Sequence, residues 1–399
     1  MERENMIIKS KRIVSENGSI DGYLKIEDGV ICDLVRADVE ELKADIDYGD
    51  NMVIPGIFDT HNHGYKGWNP NDSKASVLGY ARALASAAVT SIFPTVSEKD
   101  SYRYVCEAMK EEYPGARIMG IHSEGPYLNR VGEKGVDQGH PEITMEDIAE
   151  RYAICEGNLR LFAIAPELSG SKEAIRYLSQ RGVRCAFAHS NQTYEEAQES
   201  FKSGITVITH TANVMSGLHH RNMGGLGAAI LNDDVFNELI CDGMHVRNEM
   251  IEIIFRVKKD AFHKIMMISD NVHFAGLPAG RYDGGFFGPT NISEEGFSLT
   301  DTGRLAGSAK PVLYGMKNLV KNMGYPIEVV SQMASLNPCL VYGFADRKGS
   351  IRIGKDADIA VIDEDFNCLY TYREGKLVFD YEKDTDLDCE ETLKRCRIS

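Results

Sequence analysis

Through the middle of the chain, short and wholly apolar runs alternate with stretches whose apolar residues recur every three or four positions. The first pattern predicts buried strands and the second amphipathic helices; their alternation is the signature of repeated βα units. The helical stretches fall at 74–88, 101–112, 171–181, 193–203 and 247–258. Eight apolar runs accompany them, ending near Thr60, Thr95, Glu124, Glu167, His189, His210, His245 and Asp270. That number predicts an α/β fold closed into a (β/α)8 TIM barrel, in which the carboxyl ends of all strands converge on one mouth. A doubly wound open sheet also fits alternating β and α, but it would not by itself gather the ends of the first, third, fifth, sixth and eighth strands.

The two ends of the chain read differently. Residues 1–54 hold short alternating segments broken by Asn17-Gly18, Asp21-Gly22 and Asp28-Gly29, which predict β-hairpins. After Gly343, segments 349–353, 358–363, 368–372 and 376–379 again predict short strands. We therefore expect one small β-sandwich domain built from 1–54 plus 344–399, and a barrel over 55–343. Segment 271–308 is the longest stretch without a clear helix; it is glycine-rich and contains Pro278 and Pro289. Such a loop directly behind Asp270 predicts a lid, with a surface hairpin insertion as the alternative.

Charge and cysteine usage narrow the class of partner. Acidic residues outnumber basic ones 60 to 44, a formal charge of -16, which argues against nucleic acid or an anionic membrane as the main partner. A phosphorylated ligand would then need a local basic pocket. The nine cysteines lack a CxxC pair or a closely spaced framework, so reduced thiols in a cytoplasmic protein are expected, with Cys185 and Cys241 in the core. Residues 1–14 lack a signal-peptide apolar region, and no apolar run is long enough to span a bilayer.

The candidate chemistry lies at the ends of the predicted strands. His61 and His63 stand two residues apart, so on an extended strand both imidazoles point to one side and can meet one metal ion. Glu124, His189 and His210 end three other apolar runs. A lone histidine at a strand end is more often structural, and His263 is read so; the set of five reads as a site. Imidazole mixed with carboxylate suits zinc, while iron, cobalt and manganese are compatible. Five ligands exceed the needs of one tetrahedral ion. A carboxylate can bridge two ions, so Glu124 is expected to join one ion on His61 and His63 to a second on His189 and His210. Such ions lower the pKa of bound water toward ~7, and hydrolysis is the natural use. Asp270 is the expected catalytic base and acid, with a further metal ligand or a helix cap as its other readings.

The residues also carry a family resemblance. Pro55-Gly56-Ile57-Phe58-Asp59-Thr60-His61-Asn62-His63-Gly64, His122-Ser123-Glu124-Gly125-Pro126-Tyr127-Leu128-Asn129, Ala188-His189-Ser190-Asn191 and Thr209-His210 with Asn213 resemble segments of the amidohydrolase superfamily. Leu218-His219-His220-Arg221, Asp242-Gly243-Met244-His245-Val246, Ala275-Gly276-Leu277-Pro278, Leu305-Ala306-Gly307-Ser308 and the stretch from Lys348-Gly349-Ser350-Ile351 to Asp358 extend it over nearly the whole chain. The HxH pair alone indicates only the superfamily. Glu124 in HSEGPYLN, with LHHR and DGMHV, resembles the N-acetylglucosamine-6-phosphate deacetylases.

The resemblance implies removal of acetate from the 2-acetamido group of an amino-sugar phosphate. It implies Glu124, His189 and His210 as the principal metal ligands, His61 and His63 as the added pair of two-metal members, and Asp270 as the proton-transfer residue. It further implies that Arg221 and His220 meet the phosphate, which suits a planar bidentate donor. His245 is implied as a sugar contact, Asn213 and Val214 as substrate contacts, Leu305, Ala306 and Gly307 as a closing loop, His140 as another contact, and a homodimer with the arginine reaching across. Three departures stand out: Ser269-Asp270-Asn271 replaces the usual Thr-Asp-Ala, His273 adds an imidazole, and Val214 replaces the usual alanine. Another amidohydrolase, such as a cyclic amidase or an aminoacylase, is the competing enzyme reading. A non-catalytic barrel that binds partners or sugars is the competing reading of another class.

Overall fold

The computed structural model describes residues 5–129, 140–284, 288–385 and 397. Eight parallel strands form the centre: β1 (Ile57–Asn62), β2 (Val89–Val96), β3 (Ile121–Glu124), β4 (Leu159–Ile164), β5 (Arg184–Phe187), β6 (Ile205–Ile208), β7 (Phe236–Ile240) and β8 (Ile265–Ile268). Each pairs with the next in sequence, and a two-residue strand, Arg117–Ile118, extends the β2 side. Between β8 and β1 the ring closes at the mouth. There the Asp270 N–H donates to the His61 carbonyl at 2.9 Å, and the His63 N–H donates to the Asn271 carbonyl at 2.7 Å. The expected TIM barrel is therefore present.

The barrel interior is filled by small and branched side chains, among them Leu161, Ala163, Ala186, Ala188, Val207 and Met266. Aromatic residues plug the lower end. Phe58 and Phe93 meet edge to face at 5.0 Å, and Tyr342 packs against Phe93 at 4.8 Å. Outside, helices Lys74–Ala85, Lys99–Ala108, Met145–Ile154, Ser171–Ser179, Tyr194–Lys202, Gly224–Leu231 and Asn248–Val257 bury their apolar faces against the strands. Local chemistry sets several starts. Ser73 and Thr144 cap with their hydroxyls, and Thr193 with Glu196 forms a reciprocal capping box.

After β8 come the helical segments Val312–Lys317, Ile327–Ser331 and Asn337–Tyr342, with wider turns at Asn318–Asn322 and Gln332–Leu336. They escape a periodicity reading because burial on several sides, as at Val330, Met333, Ala334 and Cys339, erases the polar stripe. Segment 271–308 is not a bare loop. It carries three short antiparallel strands, Gly280–Asp283, Pro289–Ile292 and Ser298–Thr300, packed over Val272, Phe274, Leu277 and Ala309.

Both ends of the chain build the second unit. Asn5–Ser15, Gly18–Glu27, Val30–Arg36, Ile46–Asp47 and Met52–Pro55 join Ile359–Ile362, Cys368–Arg373 and Lys376–Asp380 in one eight-stranded sheet. Met52–Pro55 pairs antiparallel with Ile359–Ile362, which sews the two ends together. The two layers expected of a sandwich are the two ends of this continuous sheet. It curls until Ile31 donates to the Lys355 carbonyl at 2.8 Å, enclosing Ile8, Leu24, Val53, Ile359, Val361 and Tyr372. The seven described cysteines are unpaired, and Cys185 and Cys241 are buried. Among the described residues no helix is long and apolar enough to cross a membrane.

Gly56 couples this sheet to β1: its N–H donates to the Asp358 carbonyl at 2.9 Å. A Cβ there would lie 2.2 Å from Thr90 Cγ2 and Oγ1. Gly56→Ala should therefore destabilise the protein by about 1–3 kcal/mol through overpacking. Urea unfolding checks this, and an unchanged midpoint would show that Thr90 yields freely.

Candidate metal centre

The first strand delivers its two imidazoles through a buried polar network. Asp59 accepts from Asn62 Nδ2 at 2.9 Å and Ser269 Oγ at 2.6 Å, tying the end of β1 to the end of β8. Between these anchors, His61 and His63 project to one side with their Nε2 atoms 3.3 Å apart. Asp270 Oδ1 lies 3.3 Å from His61 Nε2 and 3.4 Å from His63 Nε2. These three residues form one possible metal-holding group.

A second group faces it. Glu124 Oε1 lies 3.3 Å from His189 Nε2 and 3.2 Å from His210 Nε2, and the two imidazole nitrogens are 3.1 Å apart. The other oxygen of the same carboxylate, Oε2, lies 3.4 Å from His61 Nε2 and 3.0 Å from His63 Nε2. One carboxylate thus offers an oxygen to each pair. A tetrahedral ion with bonds of about 2.0–2.1 Å holds its ligand atoms about 3.3–3.4 Å apart. The observed spacings are of that size, so both donor sets fit a first-row divalent ion.

Backbone conformation does part of the aiming. His189, His210 and Asp270 each lie two residues beyond the last residue of their strand, at φ values of 46°, 29° and 51°. A left-handed backbone is uncommon for residues other than glycine and costs of order 1–3 kcal/mol at each position. Here it turns the side chain back over the mouth. Glu167 steadies one such turn, accepting from Ser190 Oγ and the Asn191 N–H, both at 2.7 Å, and from Asn129 Nδ2 at 2.8 Å.

A family model described as the amidohydrolase family matches residues 52–378. The chain belongs to that family. It is 31% identical to the N-acetylglucosamine-6-phosphate deacetylase of Vibrio furnissii, covering 89% of this chain and 90% of the relative. It is 30% identical to the N-acetylgalactosamine-6-phosphate deacetylase of Escherichia coli O157:H7, covering 93% and 98%. Among solved structures, the N-acetylglucosamine-6-phosphate deacetylase of Thermotoga maritima superposes with a TM-score of 0.80 at 29% identity, covering 94% of this chain and all of that one.

Around the metal-type residues of this amidohydrolase, the other expected contacts fall into two sets. The first lies close to the mouth. His245 is held by Asp242, whose Oδ2 is 2.7 Å from Nδ1, and its buried ring also faces the Gly307 backbone. The Asn213 N–H donates to the His210 carbonyl at 2.8 Å, and Val214 adopts φ 46°, an outlier for a β-branched residue. Leu305, Ala306 and Gly307 run beside the Asp270 turn, because the Ser308 N–H donates to the Asp270 carbonyl at 2.9 Å. A Cβ on Gly307 would reach Val272 Cγ1 at 2.5 Å.

The second set is solvent-exposed. His219, His220 and Arg221 occupy an exposed turn, where the Arg221 N–H donates to His219 Nδ1 at 3.3 Å. His140 is exposed and its Nδ1 lies 3.1 Å from the Pro141 carbonyl. The residues before it, 130–139, lie outside the described set. The added imidazole of His273 is also engaged elsewhere, on the Asp283 carbonyl at 2.8 Å, which pins the hairpin insertion instead of competing for an ion.

Several supporting residues went unread in the sequence. Asp59 and Glu238 are acids inside apolar strands, and that contrast was the available signal. His122, beneath the site, stacks edge to face on His61 at 4.5 Å, and burial together with the charge of His61 holds it well below the usual imidazole range.

Burial pushes the His61 and His63 imidazoles down, but Glu124 and Asp270 outweigh it, raising His61 and bringing His63 to about 9. Burial likewise pushes Asp270 up, and the charge of His61 with the bond to His63 outweighs it, leaving about 2. A raised imidazole stabilises the chelator-stripped protein fully below the unfolded value of 6.5, and this is lost as pH climbs through about 9. The depressed Asp270 contributes above its unfolded value of 3.8 and is lost as pH falls through about 2. Ion binding requires neutral imidazole, so at pH 7.5 it should release protons. Calorimetric titration with zinc in buffers of different ionisation heat reads this directly, and equal apparent enthalpies in all buffers would contradict it.

Proposed function

We propose that this amidohydrolase removes acetate from the 2-acetamido group of N-acetylglucosamine 6-phosphate, or of a close amino-sugar phosphate, and frees the amine. The observation that carries this reading is the Glu124 carboxylate, whose two oxygens face two separate imidazole pairs beside Asp270. The matching relatives at 31% and 30% identity are named as deacetylases of amino-sugar phosphates. His61, His63 and Asp270 would hold one divalent ion and Glu124, His189 and His210 a second, with Glu124 shared and zinc the favoured metal. When bound, the ions lower the pKa of water and polarise a carbonyl oxygen.

The chain's own residues supply the rest. Asp270, ionised at neutral pH, takes a proton from the attacking water as a C–O bond forms at the acetyl carbon. It returns that proton to the nitrogen as the C–N bond breaks. Oδ1 of Asp270 lies 3.3 Å from His61 Nε2 and 3.4 Å from His63 Nε2, and we assign the carried proton to Oδ2. His245, fixed by Asp242, presents Nε2 to a sugar hydroxyl or to the amide oxygen, while Asn213, Val214 and the Leu305–Gly307 backbone line the pocket. Arg221 and His220 take the phosphate from the exposed turn. A homodimer would let this turn complete the neighbouring copy's pocket. Unpaired cysteines suit a cytosolic setting.

Acetate release should be found with N-acetylglucosamine 6-phosphate or its galacto epimer and be far weaker with the unphosphorylated sugar; no release from either phosphate would refute the assignment. Asp270→Asn should lower kcat by about 10²–10⁴-fold while the Glu124, His189 and His210 set keeps its ion. Near-normal turnover would remove Asp270 from proton transfer. Arg221→Ala should raise KM for the phosphorylated substrate and leave the unphosphorylated analogue nearly untouched. An equal loss on both would remove the phosphate role.

A further inference from the structure

Glu238 lies in β7, fully buried among Asn237, Leu239 and Ile240. A carboxylate inside a barrel is costly unless its charge and lone pairs are met. Its Oε1 accepts from Thr60 Oγ1 at 3.2 Å, and its Oε2 lies 3.3 Å from His61 Nδ1. Among the described residues His61 is the only group able to carry positive charge within ion-pair distance of Glu238. Among the described residues no lysine or arginine lies within ion-pair distance of it, and the nearby Tyr342 hydroxyl is buried without a partner.

Resting on the two-ion reading above, we propose that Glu238 is a positioning residue that holds His61 as its Nδ1–H tautomer and so sustains the ion held by His61, His63 and Asp270. A neutral imidazole carries one proton, and which nitrogen keeps a free lone pair depends on what the other one donates to. Glu238 is acceptor-only when ionised, so it takes Nδ1–H and leaves Nε2 for the ion. The same bond fixes the ring plane, because Thr60, the residue before His61, anchors the other carboxylate oxygen. The second group has no such support at His210, whose buried Nδ1 has no partner. The two ions therefore differ in how the protein holds them, and the difference runs through Glu238.

The test compares the full-length wild type with Glu238→Gln, Glu238→Asp and Thr60→Val, each loaded with zinc or cobalt(II). Ion content per chain is measured after dialysis against graded chelator, alongside the cobalt absorption spectrum. The wild type should keep two ions per chain. Glu238→Gln, whose amide can turn either its donor or its acceptor to Nδ1, should lose one of them at about 10–100-fold lower chelator and keep the other at the wild-type midpoint. Glu238→Asp should restore part of the loss, and Thr60→Val should shift the same ion by a smaller factor without touching the carboxylate. If Glu238→Gln proves unfolded, Thr60→Val carries the test. A wild type with two ions whose midpoints are the same in the folded variants overturns the role of Glu238 and leaves the two-ion reading standing. A wild type that keeps one ion overturns that reading and the proposal with it.

Discussion

Glu124 is the residue through which the mouth of the barrel is organised. Four imidazoles, from β1 and from the turns after β5 and β6, stand with their Nε2 atoms 3.0–3.4 Å from one or other oxygen of its carboxylate. Imidazoles packed this closely repel one another when protonated, and burial penalises their charge, so the arrangement needs a shared anion at its centre. Glu124 is accordingly held well below the usual carboxylate range: burial pushes it up, and the charge of His61 with the bonds to His189 and His210 outweighs that. Remove that carboxylate and the two histidine pairs lose both their counter-charge and their common geometric reference.

The scaffold spends stability to make this convergence possible. Three of the metal-type residues sit in left-handed backbone just past their strands, and Asp59 is buried with its pKa pushed up by desolvation. These costs are offset by closure of the ring itself. The last hydrogen bonds between β8 and β1 are made by the backbone of His61, His63, Asp270 and Asn271, so the bonds that complete the barrel also set the site. The Ser308 bond to the Asp270 carbonyl extends the same ladder into the hairpin insertion. Fold closure and site geometry are here a single set of contacts.

Much of this was legible along the chain because it is written in local pattern. The alternation of apolar runs and amphipathic stretches gave the βα units, and metal-type residues recurred where those runs stopped. Less was visible after β8, where the helices ending at Tyr342 are buried on several sides and carry no polar stripe. Segment 271–308 leaves a lid and a hairpin insertion both open in the sequence, because its strands are three or four residues long, too short for alternation to show. His140 and His273 mark where a motif stops informing: each invites a functional reading, and only the folded chain shows His140 exposed with Nδ1 on the Pro141 carbonyl and His273 Nε2 on the Asp283 carbonyl.

By itself the amino-acid order determined the kind of fold, the family and the residue types available for chemistry, since hydrophobic period and short motifs are properties of neighbours along the chain. Tertiary structure alone decided that the two oxygens of Glu124 serve different histidine pairs, that Glu238 backs His61, and that Asp59 braces Ser269 from 210 positions away. Those relations depend on distances of about 3 Å between residues on separate strands. No local pattern encodes such distances, because strand register and ring closure fix them only once the whole barrel has formed.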